Sequence, residues 1–370
     1  MKKLSNNENI KKLRNPNIDC IRIIGMLAIV LHHLILHGKI ISKYPQFCKQ
    51  MGLLDILTLW HISSFGLISG LVRNKNYKLY NLFYLWIQVE FYSITFYVAY
   101  NKCNDPKLNN NISTILFPVI NEEYWYFTAY FGMYPFLTFI NLGILNIDLI
   151  EFKKLIYFII GIFFIWSSYF TDKFSQNNGY SPISLLILFL IGTFLNNSIL
   201  TEKWTNFYRF FLLIMCPVIY ISASLTCFNL NNNKSNNRLH IQLRKIFRLG
   251  INSIPSLIQS ISIIALIFQI NFNFFISRII TIIGPLIFDV YLIHENPYVR
   301  IIYINNIFKR QINNIGISYL YFLILSKCII IFIICIFLAY IRNLCFRLLK
   351  IKKFCYNIES VITKCIQSCF

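Results

Sequence analysis

Residues 17–38, NIDCIRIIGMLAIVLHHLILHG, are long and apolar enough to cross a bilayer, which takes about 20 helical residues. The stretch nevertheless carries Asp19 and Arg22 near its start and His32 and His33 well inside it. Ionisable side chains are unfavourable in hydrocarbon, and those that occur within a span usually serve a function. The sequence therefore predicts a membrane helix that contributes to a functional site.

Arg22 and His33 share one face of this helix. At about 100° per residue, the eleven steps between them end roughly 20° from where they began and about 16 Å further along the axis. Asp19 lies one turn before Arg22 and near the same face, whereas His32 points about 80° away. We therefore expect a charged group near one membrane surface and an imidazole much deeper, aligned as if along a long ligand.

The composition of the whole chain is that of a membrane protein. Of its 370 residues, 56% are hydrophobic and 13% are charged, so we expect no sizeable soluble domain. Apolar segments of about 20 residues recur and predict an all-α, polytopic integral membrane protein with about ten transmembrane helices. The predicted spans are 18–37, 51–72, 79–100, 123–146, 154–171, 181–200, 207–228, 251–271, 276–294 and 317–342. The first span is too long for a cleavable signal and lacks a small-residue cleavage site.

The net charge of +21 indicates membrane orientation rather than nucleic-acid binding, because basic residues gather in the tails and at helix ends. We expect a basic cytoplasmic tail at 1–17, a membrane domain at 18–342 and a second basic cytoplasmic tail at 343–370. An even number of spans puts both tails in the cytoplasm of a multi-pass protein of the cell (plasma) membrane, surrounded by membrane lipid. The basic loop at 234–248 falls on the outer side in this count and does not fit it.

Polar and aromatic side chains mark two further spans. Gln88 and Glu90 stand in the third span and point about 160° apart, so one is expected to face the interior, at a polar cavity or an interhelical hydrogen bond. Tyr124 and Trp125 lie at the start of the fourth span. They favour either an aromatic belt at the membrane surface or a flat platform for a sugar.

The ninth span ends in IIGPLIFDVYLIHENPYVR, residues 282–300. Gly284–Pro285 and Asn296–Pro297 bracket the piece that bears Asp289, Tyr291 and His294 with helix breakers. A broken helix is tolerated at membrane depth where it borders a polar cavity, which predicts a site there. A solvated helix end is the alternative interpretation of His294.

Five stretches, in order, resemble acyltransferase family 3, the multispanning acyltransferases that O-acetylate cell-surface sugars. They are NIDCIRIIGMLAIVLHH, FGLISG, YKLYNLFYLWIQV, YWYFTAYF and VYLIHENPYVR, and they cover nearly the whole chain. The first helix of that family carries an arginine and, eleven residues later, a histidine, as Arg22 and His33 do. The likeness is closest to the short members found in capsule and exopolysaccharide gene sets, which lack a fused extracellular domain.

The resemblance implies an acyl-CoA donor, most often acetyl-CoA, which enters from the cytoplasm, and a glycan or lipid-linked sugar acceptor at the outer face. No bound cofactor is expected, and eleven cysteines without CxxC pairs or ligand spacing predict no metal site. The resemblance implies that His33 acts in catalysis and Arg22 in the donor site. Asp19 and Arg73 are candidates to support the donor site. The candidates to line the site on the acceptor side are Glu90, Tyr124, Trp125, Tyr291 and His294.

An alcohol is a poor nucleophile near neutral pH, so acyl transfer needs a positioned base, and imidazole titrates closest to that range. We expect His33 to take the proton of the acceptor hydroxyl as it attacks the thioester, or to form a transient acyl-imidazole. The rival function is a polytopic transporter or flippase of glycolipid or polysaccharide intermediates. That function predicts polar residues spread over several helices around a midplane site. Here they concentrate in the first, third and ninth spans.

Overall fold

The structure is a computed structural model that describes residues 14–73, 77–102, 112–166, 179–198, 206–232, 253–305, 307–308 and 315–369. These residues form helices and short connections, and no strand occurs among them, which confirms the all-α fold. The N-terminal tail before Arg14 and the basic loop at 234–248 lie outside the described residues, so their predicted sides of the membrane stay predictions.

The helices follow one another along the chain. Their bounds are α1 Pro16–His37, α2 Ile40–Lys43, α3 Cys48–Ile56, α4 Trp60–Leu71, α5 Leu79–Lys102, α6 Ile112–Leu116, α7 Trp125–Met133, α8 Leu137–Asn146, α9 Leu149–Ile160, α10 Pro182–Ser198, α11 Asn206–Asn232, α12 Ile254–Phe268, α13 Phe274–Ile283, α14 Ile287–His294, α15 Pro297–Val299, α16 Ile317–Leu348 and α17 Ile351–Cys369. Two π-helical turns, Gly161–Trp166 and Arg300–Ile304, follow α9 and α15.

Six helical segments are long and apolar enough to span a membrane, namely Pro16–His37, Pro45–Leu71, Leu79–Tyr100, Trp125–Asn146, Phe274–His294 and Ile317–Leu348. Three shorter apolar helices, Pro182–Asn196, Ile214–Thr226 and Ile254–Phe268, coincide with predicted spans. The remaining predicted span, 154–171, is helical up to residue 166, which is the last described residue of this segment. The chain is therefore a multi-pass membrane protein.

Helix α1 is the central element of the bundle. Asn15 caps its first turn and Pro16 opens it, as expected for a helix start. It packs against α4, α12, α13, α14 and α16. The Asn17 side chain donates to the carbonyls of Ile267 and Ile270 at 2.7 and 3.0 Å, which ties the start of α1 to the end of α12. The polar residues of α1 consequently face other helices.

Two glycines allow α4 and α10 to touch backbone to backbone. The sequence predicts close helix contact at Ser69 and Gly70, and the structure confirms it for Gly70. A Cβ atom on Gly70 would lie 2.0 Å from the carbonyl oxygen of Phe189, and one on Gly192 would lie 2.0 Å from that of Leu67. Because both obstacles are backbone atoms, no side-chain rotation can make room.

A buried ion pair joins α14 to α16. The Asp289 carboxylate accepts from the guanidinium of Arg342, and both side chains are almost fully buried. Tyr84 of α5 accepts from Arg342 at 3.2 Å, and the Gln88 amide oxygen, turned toward the guanidinium, accepts at 2.7 Å. Gln88 is thus the interior member of the predicted pair, while Glu90 is half-buried and accepts from the Trp86 indole at 2.8 Å.

The C-terminal segment is more regular than a tail. The last span continues as helix through residues 343–348, and α17 then packs against α5. Lys352 lies over the ring of Tyr80, and Tyr356 contacts the same ring edge to face. The cytoplasmic location of this segment stays a prediction.

Gly192→Ala should strongly reduce the yield of folded protein, because α4 and α10 must separate to admit the new methyl group. Gly143→Ala is the matched control, since a Cβ atom on Gly143 meets nothing within 4 Å. Fluorescence-detected size exclusion and thermal unfolding in detergent measure both variants. Equal stability of the two variants would contradict the backbone contact.

Asp289→Leu should lower the free energy of unfolding by about 3–5 kcal/mol, because it leaves the buried Arg342 guanidinium without its counterion. The double variant Asp289→Leu/Arg342→Met should recover most of this loss, since no charge then stays buried. Denaturation in mixed detergent micelles gives the double-mutant cycle. A double variant that loses the sum of the two single effects would exclude the ion pair.

Candidate functional site

A cavity of about 690 Å³ runs between the helices along α1. Arg22 and His37 both line it, so it follows α1 over 15 residues, about 22 Å by helical rise. Arg22 and His33 lie on its wall together, which confirms the prediction that they share a face. His32 lines it as well.

Asp19 holds the arginines at the start of α1. Its carboxylate accepts from Arg14 at 2.7 and 2.8 Å and from Arg22 at 2.9 Å. The chain crosses directly behind it at Gly284, where a Cβ atom would lie 2.4 Å from the Asp19 carboxyl carbon. Asp19 is buried and does not itself line the cavity. It therefore orients Arg22 from behind.

His33 meets two side chains from the end of α14. Its Nδ1 atom lies 3.0 Å from Nε2 of His294 and 2.7 Å from Oε1 of Glu295. His294 is fully buried, and its own Nδ1 lies 2.6 Å from the carbonyl oxygen of Val290. The helix carrying His294 stops there because Asn296 caps the next turn and Pro297 opens it.

The hydrogen-bond network assigns the tautomers of these two imidazoles. A carbonyl oxygen only accepts, so His294 carries its proton on Nδ1 and the neutral ring accepts at Nε2. The proton between the rings therefore belongs to Nδ1 of His33. The N–H group satisfies the geometry of a bond to His294, and Glu295 stands beside it as a second acceptor. Whether the Nδ1–H group of His33 donates to His294 or to Glu295, Nε2 of His33 keeps its lone pair.

Glu295 is a buried carboxylate with several cationic or donor neighbours. Its side chain is 8% exposed, and Arg300 lies 3.3 Å and His37 lies 3.8 Å from it. The Arg300 guanidinium and the Nδ1–H group of His33 compensate the burial of the Glu295 carboxylate and favour its ionised form. Glu295 is therefore ionised at neutral pH and stabilises a proton on His33.

Sequence reasoning overlooked Glu295, although it stands inside the quoted stretch between His294 and Asn296–Pro297. The available signal was an acidic residue next to a histidine at a helix break. Within a membrane protein such a break borders a polar cavity, so its acidic residue is expected to face that cavity. Such a position favours a carboxylate that orients an imidazole.

Aromatic side chains form part of the same wall. Trp125 and Tyr291 line the cavity, and Tyr180 packs on Trp125 with ring centroids 4.5 Å apart. Tyr124 is buried behind them and accepts from Asn296 at 2.8 Å. Neither prediction for Tyr124 is therefore right, because it is too buried for an aromatic belt and does not line the cavity as an acceptor residue would. It supports the helix break instead.

Two predicted site residues lie away from this cavity. Glu90 and Arg73 do not line it, so the expectation that Glu90 lines the acceptor site is wrong for this cavity. The reason is helical phase, because the side of α5 that carries Gln88 faces the cavity and Glu90 lies about 160° from it. His294 likewise stands behind the wall and reaches the cavity through His33.

Five of the six histidines of the chain gather here, namely His32, His33, His37, His61 and His294. Neighbouring rings among them are tilted, with centroids 5.2–5.6 Å apart. His33, His294 and Glu295 offer ligand atoms within 4.8 Å of one another, as a metal site would. The separations from Nδ1 of His33 to Glu295 (2.7 Å) and to His294 (3.0 Å) are hydrogen-bond lengths. The proton on Nδ1, shared between these two acceptors, explains them. The arrangement supplies a fixed base facing a long cavity.

The sequence profile of acyltransferase family 3, an acyltransferase domain, matches residues 15–341. The match covers α1, with Arg22 and His33, and the break that bears His294 and Glu295. Comparison with curated proteins and with solved structures found no significant match. The chain belongs to acyltransferase family 3 and is a membrane acyltransferase.

Proposed function

We propose that the protein moves an acyl group, acetyl from acetyl-CoA, onto a hydroxyl of a cell-surface or exported polysaccharide or of its lipid-linked precursor. The observation that carries the proposal is the Nε2 lone pair of His33, fixed by the Nδ1 contacts to His294 and Glu295 within a cavity. Orientation of an imidazole by a buried carboxylate is the arrangement that acyl-transfer enzymes use for a general base.

In the proposed reaction, Nε2 of His33 removes the proton of the acceptor hydroxyl while the hydroxyl oxygen attacks the carbonyl carbon of the thioester. The bond between the carbonyl carbon and sulfur breaks, and the thiolate of CoA takes the proton back from the imidazolium. No proton is gained or lost overall. Glu295 stabilises the imidazolium between these two transfers. An acyl-imidazole route would use the same Nε2 atom as nucleophile.

The donor is favoured by the charge of the cavity wall. Five cations line it, namely Arg14, Arg22, Arg300, Arg342 and Lys352. The carboxylates of Asp19, Asp289 and Glu295 pair with four of them, and three carboxylates against five cations leave a surplus of positive charge. The phosphates of CoA suit such a wall, because guanidinium and ammonium groups bind phosphate oxygens strongly. Arg22 stands about 16 Å from His33, which suits an extended donor rather than contact with the thioester.

The acceptor is proposed to enter where Trp125, Tyr180 and Tyr291 offer aromatic faces near Glu295 and Arg300. Flat rings with polar edges suit the faces of a sugar. We place this end of the cavity at the outer surface of the cell membrane and both termini in the cytoplasm, in agreement with the basic tails.

His33→Ala should lower acetyl transfer from labelled acetyl-CoA by about 10²–10⁴-fold, because the general base is lost. The assay uses purified protein in lipid nanodiscs with a mixture of methyl glycosides as acceptors. Size exclusion checks that the variant is folded. Glu151→Gln is the control, since this exposed residue lies on α9, pairs with its neighbour Lys154 and does not line the cavity, so its loss should leave turnover unchanged.

Full activity of His33→Ala would exclude the proposed mechanism. A wild-type protein that releases no CoA but moves a fluorescent glycolipid across a vesicle membrane would instead establish the flippase.

A further inference from the structure

The second span is interrupted at the depth of the histidines. Helix α3 ends at Ile56 and α4 begins at Trp60. A break inside a membrane protein leaves carbonyl groups that need donors from elsewhere. Four side chains of α11 and α12 supply them: Gln259 to Ile56 at 3.4 Å, Tyr220 to Leu57, Ser256 to Leu59 at 3.0 Å and Ser260 to Trp60 at 2.7 Å. The break is therefore held in one fixed geometry.

His61 is the residue held by this break. Its Nδ1 atom hydrogen-bonds the carbonyl of Thr58, which can only accept, so the proton lies on Nδ1 and Nε2 carries a lone pair. The residue is 1% exposed and lines the cavity. Among the described residues, Nε2 is buried without a hydrogen-bond partner. A buried acceptor left unsatisfied is unfavourable, which points to a donor that arrives with a ligand.

His32 stands between His61 and His33. Its ring centroid lies 5.4 Å from that of His61 and 5.6 Å from that of His33. Its Nδ1 lies 2.7 Å from Oδ1 of Asp55, so this imidazole also presents Nε2 as an acceptor when neutral. Three cavity-lining imidazoles thus have Nδ1 engaged by the protein and Nε2 available.

We propose that His61, with His32, binds a second hydroxyl of the acceptor while His33 activates the first. This inference rests on the proposed acyl transfer. A row of acceptors complements a ligand with several hydroxyl donors on neighbouring carbons, which is the chemistry of a sugar ring and not of a simple alcohol. His61 is thereby a specificity-determining residue that takes no part in the proton transfer itself.

Two substitutions separate the binding role of His61 from its packing. His61→Asn keeps an amide donor that reaches Thr58 but has nothing at the position of Nε2. His61→Gln places an amide oxygen near the position of Nε2 and so keeps an acceptor. Thermal unfolding of both variants in detergent shows whether the break is intact.

The test compares two kinds of acceptor with labelled acetyl-CoA as donor. One is a mixture of the methyl glycosides of glucose, galactose, mannose and N-acetylglucosamine, and the other is cyclohexanol, a six-membered ring with one hydroxyl. His61→Asn should raise the KM for the glycosides about tenfold, the effect of one buried hydrogen bond. It should leave kcat, the KM for acetyl-CoA and the rate with cyclohexanol unchanged. His61→Gln should recover most of the affinity.

An unchanged KM for the glycosides in His61→Asn would overturn the inference, and so would an equal loss of kcat/KM with both acceptors. In either case, turnover by the wild-type protein would still support acyl transfer. Those results would mean that Nε2 meets water or serves packing alone. A folded wild-type protein that releases no CoA with either acceptor would overturn the proposed function and this inference with it.

Discussion

The proton on Nδ1 of His33 joins the first helix to the break at the end of α14. It lies between two acceptors, Nε2 of His294 and Oε1 of Glu295, which come from consecutive residues. Because His294 is anchored to the Val290 carbonyl, this contact fixes the rotation of α1 relative to α14 as well as the tautomer of His33. A carboxylate is tolerated at this depth only because His33 and Arg300 compensate it.

Helix breaks at two places create the room for this arrangement. The break before His61 and the break at Glu295 each place polar side chains on the cavity. Side chains of α12 donate to the first break, and Asn296 of the second break donates to Tyr124. Regular helices would satisfy their own backbone and present only side chains at their spacing of 3.6 residues. Small residues then let the elements close around the cavity, as Gly284 does against Asp19.

Much of α1 could be predicted from sequence, because helical phase alone places Arg22 and His33 on one face. The prediction for His32 was wrong, since His32 lines the cavity as well. The same phase correctly separates Gln88 from Glu90 but does not say which of them faces the cavity, and Glu90 was assigned to the wrong side. Glu295, His61 and the ion pair of Asp289 with Arg342 depend on contacts between helices far apart in sequence. Their partners are set by tertiary packing, which periodicity within one helix does not encode.

The coupling between His33 and Glu295 is most directly tested by a kinetic double-mutant cycle on acetyl transfer to the methyl glycosides. If the carboxylate acts through the imidazole, Glu295→Gln should lower kcat by about 10²-fold or more in the wild type, yet by less than about threefold in His33→Ala. Loss of the same factor in both backgrounds would contradict the account, because Glu295 would then act independently of His33.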